Sequence, residues 1–263
     1  MADWTPKLVA VDADGTIVAP DETIPPALAD KLRQIDAAGV PIVLATGRAW
    51  LSAQRVLDQL NLPQIYCVCN NGATVVTYPP LAIVASTTFD PAPVIAVVRD
   101  YPTTVIAIED FGRGYLLSRS FPPGLFPLHG DHTVVSFDQL AARPASRLIL
   151  RDAEASPAEF DAMVARLDLS GLSFIQGSDN WLDVAAGEAG KENGLAIASA
   201  ALGVDRRDVL AFGDGDNDVT MLEWAGRGVA LGDAPAQLQA VADAVSPTFA
   251  DGGILAELEY WFG

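Results

Sequence analysis

The stretch Leu8-Val9-Ala10-Val11-Asp12-Ala13-Asp14-Gly15-Thr16 restricts the fold more than any other part of the chain. Four apolar residues in a row read as a strand covered on both faces, which is the pattern of a parallel sheet. The run ends in two acids one residue apart, followed by a glycine that permits a tight turn. Ligands of open parallel sheets bind at the carboxyl ends of the strands, so Asp12 is expected on the floor of a crevice. In extended backbone residues i and i+2 point the same way, which puts Asp12 and Asp14 in one small volume. Like charges that close need a cation or a shared proton. The stretch therefore predicts a metal-assisted carboxylate site in an α/β fold.

The same texture recurs along the chain. A helix is expected from Pro25-Pro26 to Ala38, stopped by Gly39. Pro41-Ile42-Val43-Leu44-Ala45 reads as a second buried strand, ending in Thr46-Gly47-Arg48. A helix to about Leu60, a strand at Gln64–Val68 and a turn at Asn70-Asn71-Gly72 follow. Strand alternating with helix at this spacing means βαβ units and a parallel sheet. After Tyr78-Pro79-Pro80 the pattern changes to short strands near 105–108, 115–118, 147–150 and 181–185. Helices are expected at 91–100 and 157–167, with turns such as Phe121-Pro122-Pro123-Gly124. Residues 81–186 are thus expected to be an α+β insertion dividing a first domain of residues 1–80 and 187–263. The α/β pattern resumes with a helix at Lys191–Ala201 and a strand at Val209-Leu210-Ala211-Phe212. That strand runs into Gly213-Asp214-Gly215-Asp216-Asn217-Asp218. A helix at 219–225, a strand at 228–231 and a closing helix at 253–262 complete the chain.

Composition narrows the function. With 34 acids against 16 bases the net charge is −18, which disfavours nucleic acid as a partner, since phosphate backbones are held by Lys and Arg. There is no apolar run of membrane-spanning length, and Met1–Lys7 lacks the basic start and apolar core of a signal peptide. Cys67 and Cys69 sit in a strand pattern with a spacing that suits core thiols and a reducing cytoplasm.

Three buried strands now end in matched chemistry: Asp12 and Asp14, Thr46, and Asp214 with Asn217 and Asp218. Strand ends on one sheet edge converge in space, and Lys191 at the start of a helix can join them. Acids that hold a hard cation, with a lysine and polar donors that neutralise phosphoryl oxygens, are what phosphoryl chemistry needs. A calcium loop does not fit. Counted from Asp214 its sixth and twelfth positions are Val219 and Ala225, and counted from Asp12 they are Ile17 and Thr23, where Gly and Glu are required. There is no Walker A sequence. Arg48 suits a structural salt bridge as well as a substrate contact, and His129, His132, Arg113 and Arg119 read as surface loop residues.

These motifs together resemble the haloacid dehalogenase (HAD) superfamily of phosphatases, and within it the Cof-type group with a class IIB cap. Asp12-Ala13-Asp14-Gly15-Thr16 resembles the first motif, Ala45-Thr46-Gly47-Arg48 the second and Lys191 the third. Gly213-Asp214-x-x-Asn217-Asp218-x-x-Met221-Leu222 resembles the fourth, and Asn70-Asn71-Gly72-Ala73 the segment leading into the cap. Ala13 departs from the larger apolar residue usual at its position, which is not a catalytic one. The resemblance implies a Rossmann-like core with a parallel sheet and an inserted α+β cap of the C2B type that chooses the leaving group. It implies Asp12 as nucleophile forming an aspartyl-phosphate, and Asp14 as general acid and then base. It implies Mg²⁺ held by Asp12, the Asp14 main-chain carbonyl and Asp214, with Asp218 close by. Thr46, the Gly47 amide, Lys191 and Asn217 would hold the phosphoryl oxygens. The residues alone do not divide nucleophile from acid between Asp12 and Asp14.

The expected function is a Mg²⁺-dependent phosphatase of small phosphorylated metabolites, cytoplasmic, monomeric or homodimeric. A phosphomutase of the same superfamily is the alternative, separable by assaying free phosphate against isomerised sugar phosphate. A catalytically silent metal- or phosphate-binding regulator is the second, disfavoured because every motif residue is present.

Overall fold

The computed structural model describes residues 4–121, 128–177 and 179–263. Past Phe121, the turn expected at Phe121-Pro122-Pro123-Gly124 lies outside the described residues. The chain divides into two compact units. The first comprises Met1–Arg48, Ala53–Ala85 and Gly190–Gly263, and the second Ala49–Ser52 and Ser86–Ala189.

In chain order the first unit opens with β1 (Leu8–Val11), α1 (Pro26–Ala37), β2 (Ile42–Ala45), α2 (Trp50–Leu60, whose first residues belong to the second unit), β3 (Ile65–Cys69), β4 (Thr74–Tyr78) and β5 (Ala82–Ser86). The second unit contributes α3 (Ala92–Val98), β6 (Val105–Asp110), β7 (Gly114–Leu117), β8 (Asp131–Val134), α4 (Phe137–Ala141), β9 (Arg147–Arg151), α5 (Pro157–Val164), β10 (Leu172–Gly177) and β11 (Trp181–Ala186). The chain then returns with α6 (Lys191–Ala201), β12 (Val209–Gly213), α7 (Val219–Trp224), β13 (Arg227–Ala230), α8 (Ala236–Val241), β14 (Ala244–Val245) and α9 (Leu255–Phe262).

The first unit is built on one sheet in the order β14-β13-β12-β1-β2-β3-β4-β5. Its strands from β14 to β3 pair in parallel, and β4 pairs antiparallel with β3. All four residues of β1 lack exposed surface, as a centrally placed parallel strand requires. On one face Leu8, Ala10, Val43, Ala45, Val68, Val209 and Ala211 pack with Leu195 and Ala198 of α6 and Met221 and Leu222 of α7. Helix α1 starts with Pro26 in its first turn and buries Leu28, Ala29, Leu32 and Ile35, the i, i+4, i+7 stripe of an amphipathic helix.

The sequence reading ended the first part of this unit at residue 80. In the structure β5 is still the edge strand of its sheet, because the Tyr78-Pro79-Pro80 turn folds the chain back beside β4 before the insertion begins.

The second unit has its own sheet, in the order β10-β11-β9-β6-β7-β8, antiparallel except for the β7–β8 pair. Helices α3, α4 and α5 cover one face through Val94, Ile95, Val98, Leu140, Phe160 and Met163. Both α4 and α5 begin with a reciprocal capping box, Ser136 with Gln139 and Ser156 with Glu159. The α/β class and the inserted α+β unit follow the sequence reading. Among the described residues no helix is long and apolar enough to cross a membrane.

Candidate active site

The central strands β12, β1 and β2 lie side by side and parallel, so their carboxyl ends open on the same edge. Asp12 follows β1, Thr46 follows β2 and Asp214 follows β12. The Asp12 amide donates to Phe212 O at 3.0 Å, which carries the strand pairing one residue past β1 and fixes the start of the loop. Gly15 then adopts φ 81°. A Cβ there would lie 2.2 Å from Asp214 Oδ2, so both the backbone conformation and the close approach demand glycine.

Asp12, Asp214 and Asp218 form the metal-ligand-like cluster of the described residues, each offering a carboxylate oxygen within 4.8 Å of the others. Lys191, the first residue of α6, sends its side chain into this cluster. Its Nζ donates to Asp12 Oδ1 at 2.5 Å and to Asp218 Oδ1 at 2.6 Å, and the ammonium is fully buried. The second Asp218 oxygen accepts from the amides of Asp214 and Gly215, both at 3.0 Å. Asp218 thus ties the lysine to the loop that carries Asp214. Thr16 Oγ1 donates to Asp214 Oδ1 at 2.8 Å, a contact the sequence reading gave no role.

Burial pushes the Asp12 carboxyl well above its ordinary value, with Asp218 and Asp214 adding to the rise and Lys191 opposing it. Burial also raises Asp214. For Lys191, burial alone would lower the ammonium, but the charges of Asp12 and Asp218 more than reverse this and hold it protonated. Three carboxylates against one ammonium leave the cluster two negative charges in a mostly buried volume. Hard oxygen donors carrying that excess fit a divalent cation. Asp12, Asp214 and Asp218 are the side chains that would hold it.

Asp14 is placed differently. Its carboxylate is 60% exposed and is not one of the three in the cluster. Arg48 grips it through a fork, Nε to Oδ2 at 2.8 Å and Nη2 to Oδ1 at 2.5 Å, while Nη1 reaches Glu22 at 2.8 Å. The extended geometry that would have aimed Asp12 and Asp14 alike stops with β1 at Val11, and the chain bends at Ala13. Of the two readings of Arg48, the structure shows the ion pair, to Asp14 and Glu22. Any metal role of Asp14 rests on its main chain.

The remaining sequence-marked residues line up beside β2 and β3. Thr46 is buried and its Oγ1 accepts from the Arg48 amide at 3.1 Å. Asn71, at φ 52°, donates its amide to Thr46 O at 3.1 Å and accepts from Asn217 Nδ2 at 2.9 Å on its side-chain oxygen. A Cβ on Gly47 would stand 2.9 Å from that same oxygen. Asn71 therefore joins the second motif to Asn217. The sequence offered its turn-forming context and the resemblance to the segment leading into the cap, but no tie to Asn217, and the signal for αL geometry was the Asn-Asn-Gly triplet itself.

Comparison with known proteins gives the family. The profile of the haloacid dehalogenase-like hydrolases matches residues 9–258. The chain belongs to that family. It is 29% identical over 248 residues to the phosphoglycolate phosphatase of Natronomonas pharaonis, covering 93% of each chain. It is 26% identical over 238 residues to the HMP-PP phosphatase of Cronobacter sakazakii, covering 89% of this chain and 87% of the other. Its fold is that of a sugar phosphatase of HAD subclass IIB, with a TM-score of 0.78 at 20% identity over 97% of this chain and 98% of the other. The HAD resemblance read from the motifs holds. This chain is a hydrolase, and its relatives are phosphatases.

Proposed function

We propose that this phosphatase cleaves a small phosphorylated metabolite through Asp12, with Mg²⁺ as its cation. The observation that carries the reading is the Lys191 ammonium bridging Asp12 and Asp218 inside the Asp12–Asp214–Asp218 cluster. An Asp12 oxygen attacks phosphorus as the bond to the leaving oxygen breaks, giving an aspartyl-phosphate on Asp12. Asp14 passes a proton to the leaving alkoxide, then takes one from the water that attacks the phosphoryl group, and inorganic phosphate departs with Asp12 restored. Both Asp14 oxygens are held by Arg48 in this structure, so one of those bonds must be given up as the proton arrives. Lys191 keeps one Asp12 oxygen fixed so that the other is aimed, and its charge offsets that of the incoming phosphoryl group. Thr46, the Gly47 amide and Asn217 supply neutral donors for the phosphoryl oxygens, with Asn71 holding the Asn217 amide in position. The bound cation would supply charge neutralisation at the phosphoryl oxygens.

Relatives named for phosphoglycolate and HMP-PP support a small phosphorylated metabolite as the substrate. We place the protein in the cytoplasm. The sulfurs of Cys67 and Cys69 are buried thiols 3.4 Å apart, within S–H···S hydrogen-bond distance, which suits a reducing compartment.

The test is phosphate release from a panel of phosphorylated metabolites, with Mg²⁺ and with chelator, for wild type and Asp12→Asn. The expected result is metal-dependent release that falls by about 10³-fold or more in the variant, as loss of a covalent nucleophile does. Release that persists in the folded variant would remove Asp12 from its role. Isomerised sugar phosphate without free phosphate would favour the mutase.

A further inference from the structure

We propose that the chain associates with a second copy of itself through β5, paired antiparallel to its twin, so that two first-unit sheets join into one. Strand β5 ends the sheet of the first unit, and among the described residues no strand lies on its outer side. An open edge presents unpaired backbone donors and acceptors, which monomeric proteins blunt with charges, proline, bulges or very short strands. This edge has no such protection. All of Ala82, Ile83, Val84 and Ser86 are exposed, and two successive large apolar residues, Ile83 at 55% and Val84 at 41%, meet solvent on opposite faces.

Charge selects the occupant. From Gln59 to Phe89 the sequence holds no Asp, Glu, Lys or Arg, in a chain whose net charge is −18. Two copies repel over most of their surfaces, and contact is least opposed where neither carries charge. A second copy supplies a strand of identical length and neutrality, and an antiparallel pair is self-complementary about a two-fold axis. Centred on Val84, the pairing sets Ile83 of each copy opposite Ala85 of the other.

The other edges are less suited. Strand β14 has two residues, and β8 opens with Asp131. Strand β10 also exposes Phe174 and Ile175, but Gln176 is tied to Asp161 at 2.6 Å, and Asp168 and Asp179 flank the strand. Antiparallel pairing of two β10 strands would bring those acids together across the join.

The experiment is sedimentation equilibrium of the full chain at micromolar concentration, for wild type, Val84→Lys, Ile83→Lys and Ile175→Lys, each checked by its melting curve and phosphate release. The expected result is a wild-type dimer of twice the 27.6 kDa chain mass that persists in added salt. Val84→Lys and Ile83→Lys should raise the dissociation constant at least tenfold with phosphate release unchanged, and Ile175→Lys should leave the dimer as it is. A wild type that stays monomeric overturns the proposal, as does a dimer that survives both β5 variants or is lost with Ile175→Lys. If a lysine variant misfolds, Val84→Cys decides. Diamide should oxidise the introduced thiols of two copies to one intermolecular disulfide, taking up their two electrons and two protons as it is reduced to the hydrazine. A chain that stays uncross-linked counts against the pairing.

Discussion

Each unit buries charge, and the two do it in opposite ways. In the first unit Asp12, Asp214 and Asp218 face a single ammonium, Lys191, and the sum is unbalanced. In the second unit Arg147 pairs with Asp183, with Nε 3.0 Å from each carboxylate oxygen and Nη2 at 2.6 Å from Oδ2, while Tyr115 and the charge of Glu109 also act on it. Elsewhere in that unit, Asp152 satisfies one oxygen with the Thr103 and Thr104 hydroxyls at 2.7 and 2.8 Å and the other with the amides of Glu154 and Ala155 at 3.0 and 2.9 Å. Buried charge is tolerated when it is paired and hydrogen-bonded. Arg147 with Asp183, and Asp152 with its four donors, meet that condition within the second unit, where Arg151, buried with its Nε unpartnered, is the exception. The first unit leaves an excess that an added cation or a proton on Asp12 can relieve, which is what the structural pair in the second unit does not call for.

The sharpest way to break this comparison is to remove one ion-pair partner from each unit and ask whether a metal ion repairs the damage. Lys191→Met leaves three carboxylates without their ammonium and should cost about 3–5 kcal/mol of stability in chelator. A divalent cation bound at a hundredfold excess over its dissociation constant should return about 2.7 kcal/mol, read as a rise in melting temperature. Asp183→Ala strands Arg147 in the second unit and should cost a similar amount, about 3–5 kcal/mol, with no recovery on adding the cation. Equal rescue of both variants, or of neither, would mean the excess charge at Asp12 is not a cation site.

A smaller effect tests the satisfied carboxylate. Asp152→Ala removes four acceptor contacts and leaves two amides and two hydroxyls to find water, and should destabilise the second unit by about 1–3 kcal/mol. Urea melts with and without Mg²⁺ should show the same loss. A loss that depends on the metal would place Asp152 in the wrong class.

Sequence reading found the first-unit site because its signals are local. Each of Asp12, Thr46 and Asp214 follows a fully buried apolar strand, and buried parallel strands announce themselves by continuous hydrophobicity. What it missed was set by tertiary contact. The Arg48 fork on Asp14 joins residues 34 apart, and Asn71 reaches Asn217 across 146 residues, so no spacing rule could pair them. The exposed edge strands were missed for a different reason. Strands β5, β8 and β10 are exposed for most of their length, so neither face imposes an apolar period. The short helix α4 escaped because its five residues are too few for a 3.6-residue stripe, although its Ser136–Gln139 capping box is visible in the sequence.

The finest discrimination is the pH dependence of stability without metal, since the two buried carboxyls should push it in opposite directions. Burial, reinforced by Asp218 and Asp214, raises Asp12 above its ordinary value near 3.8. A raised carboxyl favours the folded state while protonated, so its contribution is present below about pH 3.8 and is lost as the pH climbs through the folded-state value. Asp12→Asn stays neutral throughout, so metal-free Asp12→Asn should gain on wild type as the pH rises. For Asp152 burial alone would raise the carboxyl, but the Thr103 and Thr104 hydroxyls and the Glu154 and Ala155 amides outweigh it, and the net shift is downward. Its contribution is present above about pH 3.8 and is lost as the pH falls through the folded-state value, so the advantage of wild type over Asp152→Asn should shrink toward acid. Melting curves from pH 3 to pH 8 in chelator measure both slopes. Adding a divalent cation should flatten the first, because the bound ion stabilises ionised Asp12, and leave the second untouched. Two slopes of the same sign, or a cation that alters the Asp152 slope, would collapse the distinction between an unbalanced site and a balanced network.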